Sequence, residues 1–238
     1  MSAPFPSYFP ETSWTLIARA SGEDPLVVEA ALADIYSRYR FPLYCYLRGK
    51  RLAHQDAEDV LQDFFARFIR LRSFQKADQE KGRLRGYLMT SLERCLIDWR
   101  SRSSRRLPAQ DASASGLGRR YEGFITREVS PDLAYERSWA VSVLHASLDR
   151  LGAHYECLGK LRLFEVLRPV IAEGGTLRGR NSKELAASLS ISEEALRTAL
   201  HRMLREFGGF LREEVRQTVS SEDVIEDEIR YLLRLFSG

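Results

Sequence analysis

GRLRGYLMTSLERCLIDWRSRSSRR, residues 82 to 106, decides how the chain is read, because an apolar stripe and a concentrated basic face share one helical segment. At ~100° per residue, Leu84, Leu88, Leu92, Cys95, Leu96 and Trp99 fall on one side, which requires a core to cover it. Another side carries Arg83, Tyr87, Arg94, Asp98 and Arg105. From 81 to 106 there are eight basic residues and two acidic ones, a local charge of +6 against +3 for the whole chain. Clustered arginine is the sequence-independent source of affinity for phosphate polyanions. Tyr87 adds a ring on which an unpaired base can stack. A solvated charged face is the bland alternative for this helix taken alone.

Working outward, helical periodicity dominates and strand-like alternation is nearly absent, so the fold is expected to be all-α. The 238 residues, 44% hydrophobic and 29% charged, describe an ordinary globular chain of one or two domains. No apolar run approaches a membrane span, and the N-terminus lacks the signature of a secretory leader, so a cytoplasmic protein is expected. Cys45, Cys95 and Cys157 are widely spaced and read as reduced structural thiols. The four histidines show no metal-ligand spacing, so no metal and no cofactor are expected.

An opening helix begins near Thr12 or Ser13 and stops at Gly22. Asp24 as N-cap with Pro25 at the first helical position starts the next helix, which reopens at Pro42 and runs to Gly49. His54 to Leu71 buries Val60, Leu61, Phe64, Phe65, Phe68 and Ile69 and is acidic in its first half. The helix dipole explains Asp56 and part of the case for Glu58; Asp63, two turns in, suggests an acidic docking face. The polar stretch Ser73 to Gly82 is a loop that feeds the basic helix.

After Arg106 a stretch rich in Pro, Ala, Ser and Gly reads as a flexible linker. Order resumes near Pro131, with a further helix from Tyr155 to Ile171. In Asn181 to Phe207, Asn181 and Glu184 have capping-box spacing, and Ser192 caps a second helix. A tight turn with a buried Ile191 joins the two. Leu196, Leu200, Met203, Leu204 and Phe207 face inward, while Arg197, Thr198, His201, Arg202 and Arg205 lie outside. This is the pattern of a helix-turn-helix whose second helix can enter a major groove. A terminal amphipathic helix with Ile225, Ile229, Leu232, Leu233 and Phe236 on one face closes the chain, packing on the second domain or on a partner.

The chain resembles the sigma-70 family of bacterial RNA polymerase initiation factors, in its extracytoplasmic-function group. DAEDVLQDFFARFIR, Asp56 to Arg70, is similar to the family's second region. The resemblance implies docking on the clamp helices of the polymerase's largest subunit through Asp56, Glu58, Asp59, Gln62 and Asp63. RLRGYLMTSLERCLIDWRSRSSRR is similar to the part that recognises and helps melt the minus-ten promoter element, which implies DNA contacts by Lys76, Arg83, Tyr87, Arg94, Asp98 and Arg105. By the same resemblance the loop Ser73 to Gly82 holds a flipped base. Asn181 to Phe207 resembles region four, so Arg197, Thr198, His201, Arg202 and Arg205 are expected at the minus-thirty-five element. Ser190 stands where the family usually has Gly.

The implied organisation is an extension at 1–24, region two at 25–106, a linker at 107–132, region four at 133–215 with its helix-turn-helix at 181–207, and a C-terminal helix at 216–238. The implied partners are core RNA polymerase, promoter DNA and an anti-sigma factor or other regulator, with no membrane and no catalysis. A one-component helix-turn-helix regulator is the alternative.

Overall fold

The computed structural model describes residues 17, 19–70, 84–103, 116–124, 130–219 and 222–236. Among them all regular structure is helical. The chain divides into unit 1, Met1–Ser142 with Val215–Gly238, and unit 2, Val143–Glu214.

In unit 1, Ile17, Arg19 and Ala20 are helical and the chain leaves the helix at Ser21; the expected start at Thr12 or Ser13 lies outside the described residues. Helix α1 (Pro25–Gly49) starts as its sequence predicts: Asp24's side chain accepts the Leu26 N–H at 3.0 Å and Pro25 opens the first turn. The expected restart at Pro42 does not occur, and α1 runs through Pro42 without interruption. An interior proline costs about 3 kcal/mol. Every residue from Phe41 to Leu47 is buried, so this turn of the helix is enclosed on all sides and apolar burial offsets that cost. The helix ends in a Schellman turn, with Leu52 N–H on Leu47 C=O at 3.3 Å and Arg51 N–H on Arg48 C=O at 2.9 Å. Arg51 accepts φ 63° there without being glycine.

Helix α2 (His54–Arg70) and helix α3 (Leu84–Ser103) pack on α1 and on each other. Helix α2 buries Ala57, Val60, Leu61, Phe64, Phe65 and Phe68 as its periodicity requires. Ile69, expected inward, is instead 45% exposed, because at helical spacing it continues the outward stripe of Asp59, Gln62 and Ala66. Helix α3 buries Leu88, Leu92, Cys95 and Leu96 and half-buries Trp99.

Part of the stretch expected to be flexible folds: Gly116–Phe124 forms α4, against α1. Tyr121 meets Tyr44 edge to face at 5.9 Å between centroids, Arg48 lies over Tyr121, and Arg120 lies 3.8 Å from the centre of Phe41's ring. Glycine and serine around it hide this helix in composition; its stability comes from the aromatic end of α1. The first half of α5 (Pro131–Cys157) buries Ala134, Tyr135, Ser138, Trp139 and Ala140. A Cβ on Gly49 would lie 2.8 Å from Pro131 Cα, so glycine permits the approach. Ser138 hydrogen bonds to Cys45, whose thiol is pushed up to about 12 by burial.

The C-terminal segment also belongs to unit 1. Val215, Gln217, Thr218 and Val219 are buried, and Arg38 Nη1 of α1 donates to Gln217 Oε1 at 2.9 Å. A 3₁₀ turn (Glu222–Val224) leads into α9 (Ile225–Arg234), which buries Ile225, Glu228 and Leu232. Leu233 and Phe236, expected on its inner face, are 51% and 45% exposed.

Unit 2 comprises the second half of α5, α6 (Leu161–Ala172), α7 (Ser182–Ser188) and α8 (Glu193–Arg216) as far as Glu214. Its core includes Leu148, Leu151, Tyr155, Phe164, Leu167, Leu196, Leu200 and Met203. Tyr155 belongs to α5 and not to the following helix as the sequence suggests; Gly159, at φ 67°, makes the break. Gly152 is buried, and a Cβ there would lie 2.8 Å from Phe164 Cε1.

Candidate nucleic-acid interface

The acidic helix α2 sorts its polar residues by position. Gln55, Asp59, Gln62, Ala66 and Ile69 form an exposed stripe. Glu58 turns partly inward, 3.3 Å from His54 Nε2 and 3.9 Å from Arg40 Nη2. His54 is itself buried and accepts or donates at Nδ1 to Tyr44's hydroxyl at 2.6 Å. Asp56 is half-buried.

Asp63 faces α3. Its Oδ2 receives Arg102 Nη2 at 2.8 Å and its Oδ1 receives Arg67 Nε at 3.1 Å. Arg67 Nη1 then reaches Asp98 Oδ2 at 3.1 Å. Two carboxylates and two guanidiniums thus form a neutral tie across the α2–α3 contact. The Arg102 hydrogen bond foremost, with Arg67 beside it, holds Asp63's carboxyl below the usual carboxylate range, against the opposing effect of partial burial. The surplus acidity at Asp63 therefore has an internal partner.

On the opposite flank of α3, Tyr46's hydroxyl donates to Glu93, and Lys50 Nζ lies 3.8 Å from the same carboxylate. Burial, followed by that hydrogen bond, raises Tyr46's pKa. Helix α3 is held from both sides by polar contacts and from below by its leucines. Its outward residues include Gly86, Thr90, Arg94, Ile97, Arg100 and Ser101, with Tyr87 half-buried at the margin. Ile97 is 64% exposed. It was legible as the apolar residue opposite the leucine stripe, yet the sequence reading did not single it out. Lys76, Arg83, Arg105 and the loop at 73–82 lie outside the described residues.

In unit 2 the helix-turn-helix forms with both expected caps. Asn181 Oδ1 accepts Glu184 N–H at 3.2 Å, and Ser192 Oγ accepts Ala195 N–H at 3.1 Å. Between α7 and α8, Ile191 N–H bonds Ala186 C=O at 3.1 Å and Ser190 adopts φ 56°. That left-handed position is one that glycine occupies freely and serine occupies under strain. Ile191 is exposed at 36%, a correction to its expected burial. Residues 186, 196 and 200 close the core beneath the turn and Leu189 is half-buried.

Leu196, Leu200 and Met203 anchor α8, while Arg197, Thr198, His201, Arg202 and Arg205 are all exposed. Arg197 has a loose contact with Glu193, 3.8 Å away. Thr198 Oγ1 donates to Glu194 C=O at 3.0 Å, which sets its methyl and hydroxyl orientation. The structure thus brings the five predicted residues onto one outer surface of α8.

Among the described residues no group of His, Cys, Asp and Glu is placed to hold a metal ion, and no helix is long and apolar enough to cross a membrane.

Residues 35–106 match the family model of sigma-70 region 2. No curated protein and no solved structure matches the chain. The matched residues run from Ile35 in α1 through all of α2 and α3, and over them the chain is similar to sigma-70 factors. Factors of this family start transcription without catalysis of their own, and the family implies binding of core RNA polymerase and promoter DNA.

Proposed function

We propose that the chain is a sigma factor of the extracytoplasmic-function group, acting in the cytoplasm, which docks on core polymerase through α2, opens promoter DNA against α3 and reads duplex DNA with α8. The observation that carries this reading is the match of residues 35–106 to sigma-70 region 2 on the same residues that pack as α1, α2 and α3.

Within that reading the polymerase contacts narrow to the exposed stripe. Asp59 and Gln62 offer an unhindered carboxylate and amide, whereas Asp56, Glu58 and Asp63 stand back and support the helix. On α3, Arg94 and Tyr87 border the outward stripe, where Ile97 supplies an apolar surface against which an unstacked base can rest. Asp98 serves by orienting Arg67 and does not meet DNA. By the family resemblance, Lys76, Arg83, Arg105 and residues 73–82 are assigned to strand opening as well. Unstacking one base costs a few kcal/mol, which contacts from this surface offset. On α8, Arg197, Thr198 and His201 approach base edges and Arg202 and Arg205 approach phosphates. An anti-sigma factor is the regulator expected for such a protein.

Transcription in vitro with purified core polymerase on a genomic fragment library tests this. Discrete start sites that depend on the added chain, sharing two short sequence elements, are the expected result. Duplex binding with no polymerase complex and no transcripts would favour a one-component regulator.

A further inference from the structure

Helix α4 is one that its own sequence would not form. Gly116, Gly118 and Gly123 make up three of its nine residues, and glycine is the poorest helix former after proline. Nine residues are also too few for an isolated helix to hold in water. What keeps it folded is contact with α1: Gly118 is buried, Tyr121 is half-buried under Arg48, and Arg120 reaches over Phe41. Folding and docking of α4 are therefore one event, because away from α1 the segment loses the contacts that hold it helical. Such an element opens by itself, at a lower free energy than the core beneath it.

The surface that α4 covers leads directly to α2. Phe41 and Tyr44 are 3% and 0% exposed, and α4 supplies part of that cover. Tyr121 meets Tyr44 edge to face at 5.9 Å. The same Tyr44 ring stands edge to face with His54 at 5.8 Å, and its hydroxyl shares a hydrogen bond of 2.6 Å with His54 Nδ1. His54 opens α2 and is itself buried. Its Nε2 lies 3.3 Å from Glu58, one turn on, and Glu58 lies 3.9 Å from Arg40. An unbroken series of contacts thus runs from α4 through Tyr44 to the first two turns of α2, which carry Asp59.

A close-packed interior transmits displacement. With Tyr121 gone from its edge, Tyr44 loses a ring that fixes its position, and the hydroxyl that holds His54 is loosened with it. The start of α2 then loses its support.

We infer that α4 is a conformational strap, docked and helical or undocked and unfolded, whose docked state holds the start of α2, through Tyr44 and His54, in the position that binds core polymerase. This rests on α2 being the polymerase-docking helix. Coupling of this kind is reciprocal, so polymerase bound at α2 in turn holds α4 down.

Amide hydrogen exchange on the full-length chain reads the strap, and titration with purified core polymerase reads the coupling. In the free chain the amides of residues 120 to 124 are expected to exchange faster than those of residues 41 to 47, and to slow several-fold once polymerase is bound. Tyr121→Ala should abolish their protection and weaken polymerase binding several-fold while the global melt stays in place. Tyr121→Phe, which keeps the ring, should behave as wild type. Arg120→Ala removes only the guanidinium over Phe41 and should shift exchange and affinity the same way by a smaller factor. Tyr44→Phe keeps the ring that α4 packs on and removes only the hydroxyl on His54. In that background α4 should stay protected, and adding Tyr121→Ala should no longer change polymerase affinity, a double-mutant cycle that isolates this route.

Amides of α4 that exchange only by global unfolding would show that α4 is not a separate two-state element. A Tyr121→Ala chain that loses protection in α4 yet binds polymerase as tightly as wild type would show that strap and docking helix are uncoupled. A wild-type chain in which α4 opens locally but which binds no core polymerase would overturn the docking role of α2, and the coupling with it.

Discussion

Helix α3 and the outer face of α8 both look basic in sequence, and the structure employs their charges in different ways. On α3, Arg102 is drawn into the tie with Asp63, and the acids Asp98 and Glu93 are taken up by Arg67, Tyr46 and Lys50. On the outer surface of α8, Arg197, Arg202 and Arg205 are exposed above the buried leucines, and Arg197 lies 3.8 Å from Glu193. A helix wedged between two neighbours must satisfy its flanks, so some of its charge is structural. A helix with one face on a core and the other in water keeps its charge for a partner. Counting arginines therefore overstates what α3 offers to phosphate and comes closer for the outer face of α8.

The largest expected effect separates fastening from docking on α2. Asp59→Arg should reduce core polymerase binding tenfold or more, since a reversed charge at an interface costs roughly 1.4 kcal/mol or above. Its melting temperature should match wild type; a chain that still bound polymerase with undiminished affinity in a pull-down titration would remove Asp59 from the docking surface. Next, Arg197→Ala combined with Arg202→Ala should weaken duplex binding by about tenfold and flatten the salt slope by up to about 1.8, at unchanged stability. An unchanged slope would mean that α8's arginines are as internally engaged as Arg102.

Asp63→Asn should act on stability, lowering it by up to about 1 kcal/mol for a pair of this exposure. The pH dependence has a defined sign. Asp63's folded pKa is depressed, so its contribution is complete above the unfolded value of about 3.9 and is lost as pH falls through the folded value. The gap between wild type and Asp63→Asn should be constant in denaturant melts near neutrality and shrink below about pH 4. A gap that persisted at lower pH would show that the carboxylate's charge is not what fastens α2 to α3. The smallest effect belongs to the turn of unit 2: Ser190→Gly should stabilise that unit by about 0.5 kcal/mol, the relief at a left-handed position less the entropy of glycine. No gain in thermal melting would show that the turn holds serine without strain.

Much of this is legible in the sequence. The caps at Asp24, Asn181 and Ser192 are short-range chemistry, fixed by a side chain reaching an N–H two or three residues away. The leucine stripes of α3 and α8 follow from period alone. Legibility failed where a distant segment decided. Pro42 looks like a helix start because its own dipeptide says so, and only enclosure on every side keeps α1 continuous. Helix α4 looks like linker because its partners, Phe41, Tyr44 and Arg48, are some seventy residues away. Asp63 looks like surplus charge until Arg102 is placed beside it.

The chain by itself determined that it would be helical, that α3 and α8 would each bury one apolar stripe, and that the outer surface of α8 would carry Arg197, Thr198, His201, Arg202 and Arg205. These properties depend on spacing along one helix, which the sequence contains in full. Tertiary structure alone decided which charges are consumed in fastening helices together and that the C-terminal segment returns to unit 1 with Gln217 on Arg38. Those depend on which remote residues become neighbours, and a charge acquires its role from the neighbour it meets.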